Sequence, residues 1–501
     1  MVLLLASAGR GAEDGPHPWR TYVIDCLDCL IDFGTDRYGP VQTAMLMSIL
    51  DPETKRSPED PLFLDTVAYY EEGRAHRRAM RGSNFWYDQA TIRVMYRISE
   101  MTGNRKYAEA ADAYIDAVFQ HAVKANRLLV WGTHVFYDAY ADRPAGDADG
   151  HGPHEILVYH PEWAELYRRN PQATRRAIDS IWQWHIIDPA TGRHNRHDDR
   201  QPGCDFAFSG GSFTLACAFL YGQTKEPEYL QRAKTIAGWH WQHRDAKTGL
   251  VPDAPALTDR FDGKHCMTTV PGPFASQLLR SSELSGDTWF RDVAIACIKA
   301  YDKFGYDPKN ETYHGMLTLD GTPVPDAAKG AGYDVWAPTG EVDVWKTTIY
   351  SYEFPLVAAQ SAIYAYELTK TGGATGDAEL LAIAGRWAGV VERRLPPKTG
   401  RRWKAEIEAA LPKTSQCPGS YAEDYGRAIS FFVHVYLATG DRHYREIAEN
   451  VAREAVDKLY AGGLFKAHPA KPYYEATQGV GLLLHALLEL DMLPGAWRGA
   501  F

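Results

Sequence analysis

Ala438-Thr439-Gly440-Asp441-Arg442-His443-Tyr444 opens a run, ATGDRHYREIAENVAREAVDKL (residues 438–459), whose reading decides the fold. An apolar helical segment leads into it. Gly440 is suited to end that helix and Asp441 to cap the next, which then carries a spaced apolar stripe. The same phrase recurs as TGN followed by KYAEAADAYIDAVF (102–119), GQTKEPEYLQRAKTIAGWHW (222–241), ELSGDTWFRDVAIACIKAYDKF (283–304) and GATGDAELLAIAGRWAGVV (373–391). A shorter version is RRNPQATRRAIDSIWQWHI (168–186). Helical pairs joined by tight polar turns at this recurrence indicate a repeat architecture of about seven pairs.

Working outward, the connections between pairs are unlike those within them. They are long, rich in Gly and Pro, and aromatic: 142–153, 245–272, 321–346 and 413–421. An open solenoid makes repeats of even length with similar loops. One set of tight turns and one set of long loops fits a closed ring with a cleft at one end. The expectation is an all-α fold, an α/α toroid of about six or seven helical hairpins. Residues 16–501 form a single domain in this reading, and residues 1–15 (beginning MVLLLASAGRGA) are the remnant of a signal segment.

Composition narrows the function. The net charge is −10 over 501 residues, which excludes a nucleic-acid binder built on a basic face. No apolar run is long enough to span a bilayer. With 14 Trp and 29 Tyr there are many rings on which a sugar can stack, although core packing accounts for most. The seven Cys have no framework spacing. Cys26-Leu27-Asp28-Cys29 lies within a helical pattern and has no second pair, so zinc is not expected there. Cys217 and Cys297, in TLACAFL and AIACIKA, are expected to be buried.

The chemistry concentrates between Trp131 and Arg200. WGTHVFYD starts at Trp131, HGPHEI contains His154 and Glu155, and RHNRH closes with Arg196 and His197. His134, Glu155 and His197 are two imidazoles and a carboxylate from three separate segments. They would suit one divalent first-row metal, with manganese, cobalt and nickel as candidates. Calcium fits less well, since it prefers oxygen. Among 18 His, hydrogen-bonded helix-end histidines are the plainer alternative. Arg196 adds a cation, and a metal with a guanidinium is what a bound carboxylate requires.

The runs WGTHVFYD, HGPHEI and IWQWHIIDPATGRHNRH resemble polysaccharide lyase family 2, the metal-dependent pectate lyases. The separations of 21 residues from His134 to Glu155 and 42 from Glu155 to His197 fit that family's metal ligands. The resemblance covers about residues 130–200 and implies β-elimination on a uronate polysaccharide, with Arg196 as the catalytic base. A guanidinium is a poor base in isolation, so His194 is retained as a substitute. Arg37, in Asp36-Arg37-Tyr38-Gly39, is a candidate substrate contact, as are His194 and Lys471, the last opposite a carboxylate. Glu475 is a candidate substrate contact too, or an added metal ligand. The expected partner is an acidic polysaccharide and the expected location periplasmic or secreted, with the cytoplasm as the alternative. Two rivals remain. One is a glycoside hydrolase on the same ring using carboxylates such as Asp205 and Asp334. The other is a carbohydrate-binding protein without catalysis.

Overall fold

The computed structural model describes residues 18–59, 79, 81–132, 135–146, 154–155, 161–257, 263–325, 337–345, 354–370, 376–395, 419–469 and 471–494. Residues 1–15, His134, Asp334 and parts of the long loops, which carry several of the expectations above, lie outside the described residues.

The helices, in order, are α1 (Pro18–Phe33), α2 (Phe85–Thr102), α3 (Lys106–His121), α4 (Trp163–Arg169), α5 (Pro171–His185), α6 (Ala207–Thr224) and α7 (Pro227–Gln242). They continue as α8 (Ala275–Ser285), α9 (Thr288–Gly305), α10 (Pro355–Thr369), α11 (Ala378–Arg393), α12 (Ala422–Thr439), α13 (Arg442–Leu459) and α14 (Val480–Asp491). The turn chemistry read from sequence builds the hairpins. Gly103, Gly286 and Gly440 take φ of 70, 78 and 73°, and their N–H groups bond back to Ser99, Ser282 and Tyr436. Asp287, Asp377 and Asp441 then cap α9, α11 and α13 by accepting backbone N–H groups from the first turn.

Each hairpin has one helix inside and one outside, and sequence sets which. In α6 every residue from Ala207 to Leu220 is buried, in α10 from Pro355 to Glu367, and in α12 from Ala422 to Val435. A helix buried all round belongs in the middle. In α13 only Ile447, Ala448, Val451, Ala452, Ala455 and Leu459 are buried, one stripe facing inward. The inner helices α6, α8, α10, α12, α14 and α2 follow one another around the axis, with α14 packed on α2 and the short α4 between α3 and α6. The outer α1 packs against α14, where Arg20 and Asp491 pair at 2.7 Å. The architecture is an α/α toroid.

Because every hairpin repeats the same direction, the segments that enter the inner helices gather at one end. After several outer helices the chain makes a two-stranded hairpin before that entry: Ile186–Asp188 with Arg193–His194, Tyr306–Asp307 with Thr312–Tyr313, and Tyr460–Ala461 with Leu464–Phe465. Toward the opposite, C-terminal ends of the inner helices lies a buried ionic cluster. His434 lies between Glu367 (2.7 Å) and Glu489 (3.2 Å), with His485 beyond Glu489. Burial alone would lower the His434 imidazole, but the two carboxylates outweigh it and raise it to about 10.

Cys217 and Cys297 are buried as expected, and so is Cys26. Burial pushes the Cys26, Cys217 and Cys297 thiols up to about 12, which makes them inert. Among the described residues no helix is long and apolar enough to cross a membrane.

Candidate active site

The entry segments are sewn into a belt of short backbone pairings. Tyr474–Glu475 pairs antiparallel with Ile49–Leu50. Ser48 donates its N–H to Gly82 and its hydroxyl accepts from the Asn84 N–H. Asn84, the N-cap of α2, reaches across with its side-chain amide to the Gly132 carbonyl at 2.7 Å. Gly132 forms a parallel bridge with Glu155, and Glu155 an antiparallel one with His197. The belt therefore carries Glu475, Gly132, Glu155 and His197 along one end of the ring.

Gly132 is required by this arrangement. Its φ is 106°, and a Cβ there would stand 2.0 Å from the Glu155 carbonyl oxygen. No side chain fits between those two strands.

Three of the expected site residues meet at the end of the belt. The Arg196 Nε donates to Glu155 Oε1 at 2.7 Å and to His197 Nε2 at 3.2 Å, and Glu155 Oε1 lies 3.3 Å from His197 Nε2. The Glu155 side chain is 3% exposed, against 15% for Arg196 and 19% for His197, so the carboxylate forms the floor and the other two face the opening. The Arg196 guanidinium lies over the Phe206 ring at 4.8 Å. Phe206 belongs to a small apolar cluster with Phe208, Met267, Met316 and Phe354.

The donor set fits a divalent cation. One carboxylate oxygen and one imidazole nitrogen lone pair converge on a single positive group, the Arg196 N–H. Their separation is within the span of two ligands on one ion, for which bonds near 2 Å are usual. Among the described residues no third His, Cys, Asp or Glu joins them, and His134, the remaining expected ligand, lies outside these residues.

Five other candidates are placed differently. His194 is fully buried, with Nδ1 3.2 Å from the Gly192 carbonyl and its ring against Phe213 and His240. It lines the core, not the cleft. Arg37 is exposed and donates to the Asp32 carbonyl, next to α1. The neighbouring Asp36 carboxylate closes a turn by accepting from the Tyr38 and Thr43 N–H groups. Lys471 and Glu475 are buried and face each other at 3.3 Å, with the Lys471 ammonium over the Tyr421 ring. Asp205, a carboxylate of the hydrolase rival, is also buried, and it accepts from Trp239 Nε1 at 2.7 Å and the Ala256 N–H. It staples a loop.

Behind the site lie groups that sequence reasoning missed. Trp131 Nε1 donates to His154 Nε2 at 2.6 Å, His154 Nδ1 meets His185 Nε2 at 2.8 Å, and His185 Nδ1 meets the Asn195 carbonyl at 3.0 Å. Burial lowers His154 well below the ordinary histidine range, with nearby His185 adding to it, and burial holds His185 down to about 4. Asp198 accepts the His154 N–H at 2.8 Å and pairs with Lys124 at 2.7 Å. Burial would raise its carboxyl, but Lys124 outweighs burial and holds it down to about 2. The signal in the sequence is adjacency: His154 precedes Glu155 and Asn195 precedes Arg196.

Comparison with known proteins agrees with the resemblance. The family described as "Periplasmic pectate lyase" matches residues 61–210. A pectate disaccharide-lyase of Dickeya dadantii (strain 3937) is 28% identical over 118 residues, 23% of this chain and 22% of that protein's length. Among solved structures, a D-mannose isomerase superposes with a TM-score of 0.50 at 11% identity, covering 96% of this chain and 99% of its own. An unsaturated glucuronyl hydrolase from Bacillus sp. GL1 gives 0.41 at 16% identity, covering 66% and 84%. Over the stretch that contains Glu155, Arg196 and His197, this α/α toroid resembles the periplasmic pectate lyases.

Proposed function

We propose that this protein is a carbohydrate-active enzyme, and more narrowly a metal-dependent lyase that cleaves a uronate polysaccharide of the pectate type by β-elimination. The observation that carries the reading is the convergence of Glu155, Arg196 and His197 on one point, within the residues matched by the family. His134, Glu155 and His197 are the residues that would hold the ion, with manganese, cobalt or nickel favoured over calcium by the imidazoles. Such an ion would supply Lewis-acid neutralisation of the uronate carboxylate and penalise the charged form of a nearby guanidinium.

The chain's own residues do the rest. A uronate carries an acidic hydrogen at C5 and a glycosidic oxygen at C4. Arg196 takes the C5 proton, the C5–H electron pair forms the C4=C5 double bond, and the C4–O bond breaks. The departing oxygen takes a proton from water, leaving a 4,5-unsaturated sugar. Arg196 is favoured over His194 because its side chain faces the opening, while His194 is enclosed by Phe213 and His240. Glu155 holds Arg196 in place through its Nε. The hydrolase alternative is weakened by Asp205, whose oxygens are taken by Trp239 and Ala256. The family description favours a periplasmic or secreted location.

The test is ultraviolet absorbance of the unsaturated product from polygalacturonate and other uronate polymers, with added Mn²⁺, Co²⁺, Ni²⁺ or Ca²⁺ and with chelator. Arg196→Lys keeps the charge but loses the planar fork, and turnover should fall about 10²- to 10⁴-fold. Wild-type turnover in that variant removes Arg196 as the base. Saturated products alone sink the lyase reading.

A further inference from the structure

We propose that His185 is a positioning residue for this site: with Trp131 and His154 it forms a one-way hydrogen-bond relay that fixes the Glu155 segment against the Arg196–His197 segment. Its kinetic consequence rests on the lyase reading, while the relay itself rests on geometry.

The direction of the relay follows from its first member. An indole nitrogen can only donate. Trp131 Nε1, 2.6 Å from His154 Nε2, therefore forces that nitrogen to accept. The remaining proton of His154 is then on Nδ1 and points at His185 Nε2, 2.8 Å away, which must accept in turn. His185 is left with its proton on Nδ1, and it donates to the Asn195 carbonyl at 3.0 Å. Both rings are in the Nδ1–H tautomer and neither can flip without setting donor against donor. His185 also accepts the Asn195 N–H through its own carbonyl at 2.9 Å, so the end of α5 grips Asn195 twice.

The members are placed with regularity. Trp131 precedes Gly132, His154 precedes Glu155, and Asn195 lies two residues before His197. Gly132, Glu155 and His197 are the residues joined by the belt's bridges. Neighbours along an extended chain point to opposite faces. His154 and Glu155 are such neighbours, so this segment turns one side chain to the relay and the next to the site. Asn195 completes the connection, because its Oδ1 accepts the His197 N–H at 3.0 Å. Partners of this kind behind a ligand typically change metal affinity 10- to 100-fold when removed.

The relay is tested first in the wild type, by nitrogen NMR of the ¹⁵N-histidine-labelled full chain. Two histidines should be in the Nδ1–H form, with a through-hydrogen-bond coupling between Nδ1 of one and Nε2 of the other. Either ring in the Nε2–H form overturns the proposal, and this measurement needs neither metal nor turnover. Its positioning role is tested with His185→Phe and His185→Gln. The phenylalanine should weaken Mn²⁺ binding, read by electron paramagnetic resonance of the free ion, about 10- to 100-fold, and lower kcat with KM within twofold. The glutamine, which can still accept from His154, should recover most of both. Wild-type Mn²⁺ affinity and kcat in His185→Phe overturn the positioning role. A wild type with the relay tautomers but without lyase turnover removes the lyase reading and leaves the relay standing.

Discussion

Gly132→Ala perturbs the site without altering any reacting group. The added Cβ would stand 2.0 Å from the Glu155 carbonyl oxygen, where contacts below 3.0 Å are essentially never seen. The Glu155 strand must therefore withdraw by about 1 Å, and a displacement of that size at a reacting centre costs about 100-fold in rate. That corresponds to about 2.7 kcal/mol of barrier. The left-handed backbone adds about 1–2 kcal/mol of instability for a residue with a Cβ. Gly286→Ala is the matched control: its φ is 78°, yet nothing lies within 4 Å of the new Cβ, and it sits at a hairpin turn away from the belt. Both variants should unfold slightly earlier by circular dichroism, and only Gly132→Ala should lose kcat/KM and Mn²⁺ affinity. If both keep wild-type kcat/KM and metal binding, the Gly132–Glu155 bridge does not set the carboxylate's position and the belt argument fails.

The buried cluster around His434 predicts a pH-dependent stability. His434 is raised to about 10 in the fold from an ordinary 6.5, so its contribution is complete below about pH 6.5 and is lost as pH rises through 10. Urea unfolding should show a loss of roughly 4 kcal/mol between those limits, and His434→Gln should be less stable at pH 6 and flatter with pH. Glu489 is held low by His485 and His434 against its burial, so its contribution is present above its ordinary range and lost in acid. Asp205→Asn should retain lyase turnover while lowering Tm, because one oxygen still accepts from Trp239; loss of all activity with an intact fold would restore the hydrolase reading. Asp198→Ala should release Lys124 and the His154 N–H together and weaken Mn²⁺ binding by at least tenfold; unchanged binding counts against the scaffold behind Glu155.

The hairpins were legible because their signals are local. Gly440-Asp441 and Gly286-Asp287 end one helix and cap the next through atoms a few residues apart. The distinction between inner and outer helices was legible as well, since an all-round apolar α6 differs from a striped α13. A two-residue strand such as Ile49–Leu50 was not legible, because its pairing depends on Tyr474–Glu475, far along the chain. Within the site, Glu155, Arg196 and His197 were legible as candidates, and the fold brings their side chains together. His194 is near Arg196 in sequence, yet it pairs with Ile186 in the hairpin and its ring packs against Phe213 and His240 in the core. His185 drew no notice because its value lies in which nitrogen carries the proton, and that is set by Trp131, 54 positions earlier.

The closing contact between α1 and α14 has a consequence for synthesis on the ribosome. Val23, Cys26, Leu27 and Leu30 of α1 are fully buried, and much of what covers them comes from Leu464–Phe465 and α14. These partners are more than 430 residues downstream. At about 5–20 residues per second, the apolar side of the first helix waits roughly twenty seconds to a minute and a half before they emerge. Hairpins such as α6–α7 can pack as they leave the tunnel, but the seam cannot close until translation is nearly done. A newly made chain therefore passes through a long interval as an unsealed arc. The first helix is where a holding chaperone is most needed, and where stalled synthesis would leave the stickiest end.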